Sequence, residues 1–218
     1  MTSTTKKTPP PRRTQSERSH STQQKIIQSA LRLLQTVGYQ KTNMQDIARG
    51  ADVTLGAVQH QFGNRQALME QVVEAVMAPL ATIGKGWSID ALQLPLSQRA
   101  HEFVHQAWKN VYGTPSYLAA WSLFFGSQNT ALFEKINLHR AIHDPVYFAH
   151  FVEVFPEVAA RHAQPEQFAY VIFSALRGIA VMRIFEIDEP ITQTQLDVII
   201  QMIIQAGSDP THKESVTQ

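Results

Sequence analysis

Thr42-Asn43-Met44-Gln45-Asp46-Ile47-Ala48-Arg49-Gly50-Ala51-Asp52-Val53-Thr54-Leu55-Gly56-Ala57-Val58-Gln59-His60-Gln61-Phe62-Gly63-Asn64-Arg65 is the stretch that decides the fold. Thr42 to Gln45 has the composition of a capping box opening a short helix, and Met44, Ile47, Ala48 and Ala51 form that helix's apolar stripe. Asp52-Val53 makes a tight turn, and Thr54 caps a following helix that carries Val58 and Phe62. Gly63 ends it, and Asn64 caps a further helix from Arg65. Two short helices joined by a tight turn, the second built of small and polar residues, form a helix-turn-helix. Ala51 lets the two helices cross closely, Val53 plugs the turn, and Gly56 and Ala57 keep the second helix slim.

Outward from this stretch the chain reads as helix throughout. Ser21-Thr22-Gln23-Gln24 reads as a capping box, followed by Ile26, Ile27, Ala30, Leu31, Leu34 and Val37 at helical spacing, with Gly38 closing the helix. After Arg65, the residues Leu68, Val72, Val73 and Val76 give a helical face, and Pro79 should kink or stop it. Beyond a loop-like 84–94, helices are expected at about 96–112, 115–129, 131–153, 165–187 and 192–206, separated by Pro115, Pro156, Pro165, Pro190 and Gly207. No period-2 run marks a strand. The expected fold is therefore all-α with about nine helices. Its parts are a flexible basic arm at 1–20, a three-helix helix-turn-helix domain at 21–66, a helical sensing and dimerisation domain at 67–208, and a disordered tail at 209–218.

Charge divides along the same boundary. Residues 1–65 hold ten Lys/Arg against three Asp/Glu, and the remainder holds nine against fifteen. A basic head on an acidic body points to a polyanion partner for the head alone. A slim helix fits the major groove of DNA, and hydroxyls at helix N-termini, Thr42 and Thr54, sit where phosphates bind. The absence of cysteine excludes disulfides and thiolate metal sites and suits a reducing cytoplasm. No signal peptide is visible at the polar, basic N-terminus. Residues 168–187 are apolar over about the length of a membrane span, but Arg177 and Arg183 favour a buried helix over a membrane one.

The stretch from Thr42 to Leu68 resembles the DNA-binding signature of the tetracycline-repressor (TetR) family, and the resemblance extends over about residues 22–75. The shared positions are Thr42, Ile47-Ala48, Ala51, Val53, Gly56, Phe62, Asn64 and Leu68. The resemblance implies a dimer that binds a palindromic double-stranded DNA operator, normally represses, and is released by a small-molecule effector. No cofactor, catalytic residue, metal or membrane is implied. The candidate DNA contacts are Thr42, Asn43, Thr54, Leu55, Gly56, Ala57, Gln59, His60 and Arg65. Two positions depart from the family pattern: Gln59 stands where a Tyr is usual, and Arg65 where a Lys is usual. Arg65 keeps a phosphate-binding charge, and Gln59 has the chemistry to meet a phosphate or an adenine edge. The resemblance further implies that the last two long helices, apolar nearly all round, pair with a second copy, with Gly178 permitting close approach. Val181 and Ile203 are placed in that interface.

Only Tyr39 and Phe62 among the aromatics precede residue 87, so a roomy apolar pocket belongs to the body. Its candidate lining is Trp108, Tyr112, Trp121 and Phe125, with His105 as a polar handle. One constellation points elsewhere. His101-Glu102-Phe103-Val104-His105 is a literal H-E-x-x-H, the spacing of a zinc hydrolase, and His139 and His143 repeat the i,i+4 pair. The Gly and third His of the extended motif do not follow. Two alternatives stand beside the effector-responsive regulator. One is a ligand-independent DNA-binding protein, separated by thermal shift against a compound library. The other is a metal-dependent hydrolase through His101, Glu102 and His105, separated by an activity assay with a chelator control.

Overall fold

The computed structural model describes residues 14–82, 93–185 and 188–208, and among these ten α-helices and no strand are present. The first helix, α1 (Gln15–Lys41), starts earlier than the sequence suggests. Thr14 Oγ1 accepts from the Glu17 backbone N–H at 3.2 Å, while the Glu17 carboxylate accepts from the Thr14 N–H at 2.7 Å. This reciprocal box, rather than Ser21 to Gln24, opens the helix, and the Thr22 hydroxyl instead donates within it to the Arg18 carbonyl. Residues 14–20, expected to belong to a flexible arm, are thus the cap and first turns of α1, and Ser19 meets the side chain of Gln61. The rest of that arm lies outside the described residues, as do most of the loop-like 84–94 and the tail at 209–218.

Gly38 breaks α1 at a left-handed backbone, φ 77°, which a side chain would strain, and one further turn follows. α2 (Met44–Gly50), α3 (Leu55–Phe62) and α4 (Arg65–Met77) come next, capped by Asn43, Thr54 and Asn64. The α2 cap is therefore one residue later than Thr42. Asn43 Oδ1 accepts from the Asp46 N–H at 2.9 Å, whereas Thr42 is buried with its hydroxyl donating to the Gly38 carbonyl. α1 comes close to α2 at Gly50: a Cβ there would run into Ser29 Oγ, which is itself buried and donates to the Ile47 carbonyl. The turn before α3 passes through Asp52 at φ 57°, and Val53 packs against the core as expected. At Pro79 the fourth helix tightens into a 3₁₀ segment, Ala78–Thr82.

The body comprises α5 (Leu96–Ala107), α6 (Pro115–Gly126), α7 (Ala131–Val154), α8 (Pro156–Arg161), α9 (Pro165–Met182) and α10 (Glu189–Gly207). α5 continues as a π-helical turn, Trp108–Tyr112, closed by the Gly113 N–H on the Trp108 carbonyl. α8 went unforeseen because six residues carry too little periodicity, and α6 stops at Gly126 rather than near 129. Pro190 lies in the first turn of α10, where its missing N–H costs nothing, so it starts that helix instead of separating two. The core centres on Phe103, packed edge-on against Phe151 and Phe155 at 5.4 Å each. Buried Arg99 on α5 pairs with Glu157 on α8.

The end of α1 joins head to body. The Tyr39 N–H donates to Ser122 Oγ at 3.1 Å, and Gln40 Nε2 donates to the Gly126 carbonyl at 2.7 Å. Gly126 has to lack a side chain, because a Cβ would strike the Tyr39 ring. Arg65, at the start of α4, holds the same segment. Its Nε donates to the Thr42 carbonyl at 2.9 Å and its Nη2 to the Tyr39 carbonyl at 2.5 Å, with the guanidinium 4.1 Å above the Tyr39 ring. Both carbonyls follow the Gly38 break; that of Tyr39 also takes the Thr42 N–H at 3.3 Å, and the planar fork of Arg65 adds a charge-assisted bond to each. Removing it should therefore cost stability. Arg65→Met is expected to lower the unfolding free energy by roughly 2–4 kcal/mol in urea titration, two charge-assisted hydrogen bonds and a cation–π contact being lost. Arg65→Lys should recover only part, since one ammonium cannot fork across two carbonyls. An unchanged midpoint in Arg65→Met would show the clamp to be incidental.

Candidate nucleic-acid interface and interhelical cavity

α3 is anchored by one buried residue, Val58, which turns the opposite face outward. On that face Thr54, Leu55, Gly56, Gln59 and His60 are all exposed, and Ala57 is half-buried beside them. Asn43 is exposed at the start of α2. Eight of the nine candidate contacts are thus accessible or partly so, but Thr42 and Arg65 are differently employed. Thr42 is only 2% exposed and gives both its hydroxyl and its N–H to backbone carbonyls of the α1 terminus. Arg65 is half-buried in the clamp described above. Lys41, exposed beside this segment, was not singled out, because the expected helix closes at Gly38 whereas α1 gains a further turn that ends at Lys41. Arg49, exposed on α2, pairs with Asp46 at 3.2 Å.

In the body, α4, α6, α7 and α9 enclose a cavity of about 250 Å³. Trp121 and Phe125 line it, as expected, together with Tyr117 and Phe124 of the same helix. The other three candidates do not. Tyr112 is fully buried in the core behind the cavity, packed edge-on against Tyr117, and burial pushes its phenol far up. Trp108 lies in the π-helical turn beneath Arg183, whose guanidinium also donates to the Gly113 carbonyl. His105 faces its neighbour His101, the rings 4.1 Å apart, on a helix that contributes nothing to the lining. Burial and then His101 hold its pKa below the ordinary imidazole value. Sequence periodicity found the aromatic wall but missed the polar end: Arg140, His143 and Asp144 on α7 and Arg177 on α9. Asp144 joins the two arginines, to Arg140 at 3.3 Å and Arg177 at 3.5 Å. Charged residues on otherwise apolar helices were the available signal. Arg177 had been noted only as an argument against a membrane span.

The two histidine pairs stay pairs. His101 and Glu102 are exposed, and among the described residues no group of three or more His, Cys, Asp or Glu is placed to hold a metal. His139 and His143 stack in the same way at 4.1 Å, His139 being held below the ordinary imidazole pKa by burial and by His143.

A second surface is apolar. The stretch Pro165–Phe185 is long and apolar enough to cross a membrane, yet only 28% of its window is buried in the protomer. Its inward side carries Arg177 on Asp144, and Arg183 is drawn to the Gly113 carbonyl. Its outward side shows Val171, Gly178 and Met182 at helical spacing, and α10 adds Ile191 and Val198. Ile203, placed in an interface by sequence, is instead wholly buried inside the protomer, and Val181 is half-buried.

Residues 26–72 match the family model described as bacterial regulatory proteins, tetR family, which covers most of α1 and all of α2 and α3. Over 188 residues the chain is 26% identical to the HTH-type transcriptional regulator CymR of Pseudomonas putida, spanning 83% of this chain and 88% of that one. Among solved structures, NalD, the secondary repressor of the MexAB-OprM multidrug efflux pump in Pseudomonas aeruginosa, superposes with a TM-score of 0.61 at 18% identity, covering 87% of this chain and 97% of its own. A TetR-family transcriptional regulator from Haemophilus influenzae superposes at 0.60 with 17% identity, covering 85% and 97%. Residues 26–72 thus carry the helix-turn-helix of the tetR family of bacterial regulatory proteins, and the chain as a whole is similar in sequence to a transcriptional regulator and in fold to TetR-family regulators.

Proposed function

We propose that the protein is a cytoplasmic repressor that binds a palindromic operator as a homodimer and leaves it when a small apolar or aromatic effector fills the interhelical cavity. The observation that carries this reading is the double role of α6. One face of it walls the cavity through Tyr117, Trp121, Phe124 and Phe125, and the other holds the end of α1 through Ser122 and Gly126. α4 works in parallel, lining the cavity with Val73 and Met77 and gripping α1 with Arg65. A ligand that displaces either wall moves the segment on which the head is mounted. The free energy for this comes from tighter binding to the conformation that no longer fits DNA.

In this reading α3 enters the major groove. Gln59, His60 and Leu55 face the bases, while Asn43 and Thr54 at helix N-termini meet phosphates. Thr42 and Arg65 act one step back, by fixing the segment that carries α2. The exposed apolar faces of α9 and α10 meet their counterparts on a second copy, which places two α3 helices on successive turns of DNA. A ligand-independent regulator would use the same head but leave the cavity without a role. A library screen by thermal shift that returned no stabilising compound would favour it.

Selection of bound sequences from random duplex DNA is the direct test, and an inverted repeat is the expected product. A single unrepeated site would contradict the dimeric reading. Gln59→Ala should relax preference at one base-pair position per half-site, worth about 1–3 kcal/mol, in binding titrations against operator variants. Val171→Glu or Val198→Glu should give a folded monomer by light scattering, with operator binding lost and helical content kept. Ile203→Glu should instead unfold the protomer. A Val171→Glu, Val198→Glu double variant that stayed dimeric would place the interface elsewhere.

A further inference from the structure

We infer that the cavity takes a compact aromatic carboxylate, its anionic group held between Arg177 and Arg140. This rests on reading the cavity as the effector site. Size comes first. A closed apolar cavity of about 150 Å³ holds benzene. The 250 Å³ here accommodates a compact aromatic body with a small substituent. The wall chemistry fits a flat apolar body. Tyr117 and Trp121 stand edge to face at 6.4 Å, and Trp121 meets Phe124 at 5.4 Å.

Charge then selects the other end. Two guanidiniums share one carboxylate, so the polar end carries one positive charge in excess. Arg177 and Asp144 are largely withdrawn from water, with side chains 15% and 11% exposed, while Arg140, at 44%, stands at the mouth. The excess positive charge makes this end favour an anion over a cation. The existing bonds are also slack. At 3.3 and 3.5 Å, each is a single contact longer than the 2.7–2.9 Å of a tight guanidinium–carboxylate bond. Both arginines therefore keep donors for a second carboxylate. The Trp121 Nε1–H adds another donor. It is buried with no well-formed hydrogen bond, having only the Tyr117 phenol as a weak neighbour. Glu74, the other acid whose field reaches His139 and Tyr147, is exposed and outside the lining.

Calorimetric titration of the full chain with three isosteres decides it: 4-methylbenzoate, 4-methylbenzamide and 4-methylbenzylammonium. The carboxylate should bind at least about tenfold tighter than either of the others, and Arg177→Met should remove at least about tenfold of that affinity. Asp144→Asn, which raises the excess positive charge while keeping the shape, should tighten the carboxylate. Should Arg177→Met prove unfolded by circular dichroism, the ranking in the unmodified protein and the Asp144→Asn response still decide. Amide or ammonium binding as tightly as carboxylate overturns the inference. If one of them also releases operator DNA in a gel-shift assay, the effector reading survives without it. Failure of all three to bind overturns the inference, and it counts against the effector reading as well only if a wider library also fails.

Discussion

Arg65 holding the carbonyls of Tyr39 and Thr42 is the contact on which the rest of the arrangement depends. A helix that ended freely at Gly38 would leave orphan carbonyls and a head hinged on a flexible link. The guanidinium fork, stacked on the Tyr39 ring, turns that weak point into a joint between α1 and α4. The same tyrosine's N–H is taken by Ser122 of α6. Three helices therefore meet at one residue: one belongs to the head, one leads out of it, and one forms a cavity wall. The joint is polar and directional rather than a broad apolar contact. A small displacement of α4 or α6 is then transmitted to α1 instead of being absorbed by repacking.

The helix-turn-helix was legible almost residue by residue, because its turn, caps and apolar positions are local. Thr54 and Asn64 cap where they were expected to, and Pro79 ends the fourth helix. What local pattern could not give was competition between equivalent side chains. Ser21, Thr22 and Thr42 all look like caps. Thr14 and Asn43 take those roles because their backbones are extended at the helix starts, whereas Thr22 lies mid-helix and Thr42 is drawn onto the Gly38 carbonyl. Arg65 has a role in the joint that local pattern could not give, for a related reason. A cation at a helix N-terminus reads as a phosphate ligand until the carbonyls of a distant helix end are seen beside it.

The cavity was half legible. Trp121 and Phe125 belong to it, but Trp108 and Tyr112, equally aromatic and one helix earlier, do not. The π-helical turn there carries Tyr112 into the core. The charged end was hidden because its residues come from α7 and α9, which only the tertiary packing brings together. The apolar outer faces of α9 and α10 were anticipated. Which of their residues face outward depends on helix rotation, and that is why Val171 and Val198 replace Val181 and Ile203 as the exposed positions.

Head and cavity sharing the Tyr39 joint leads to a thermodynamic demand: whatever a ligand does to operator affinity, the operator must do to ligand affinity by the same factor. The most direct measurement is the dissociation constant of one cavity ligand for the free protein and for the protein saturated with operator. A weakening in the bound form by a factor of about 5–150, matched by an equal loss of operator affinity at saturating ligand, is the expected result. Equal ligand affinity in the two states would contradict the proposed connection between cavity and DNA.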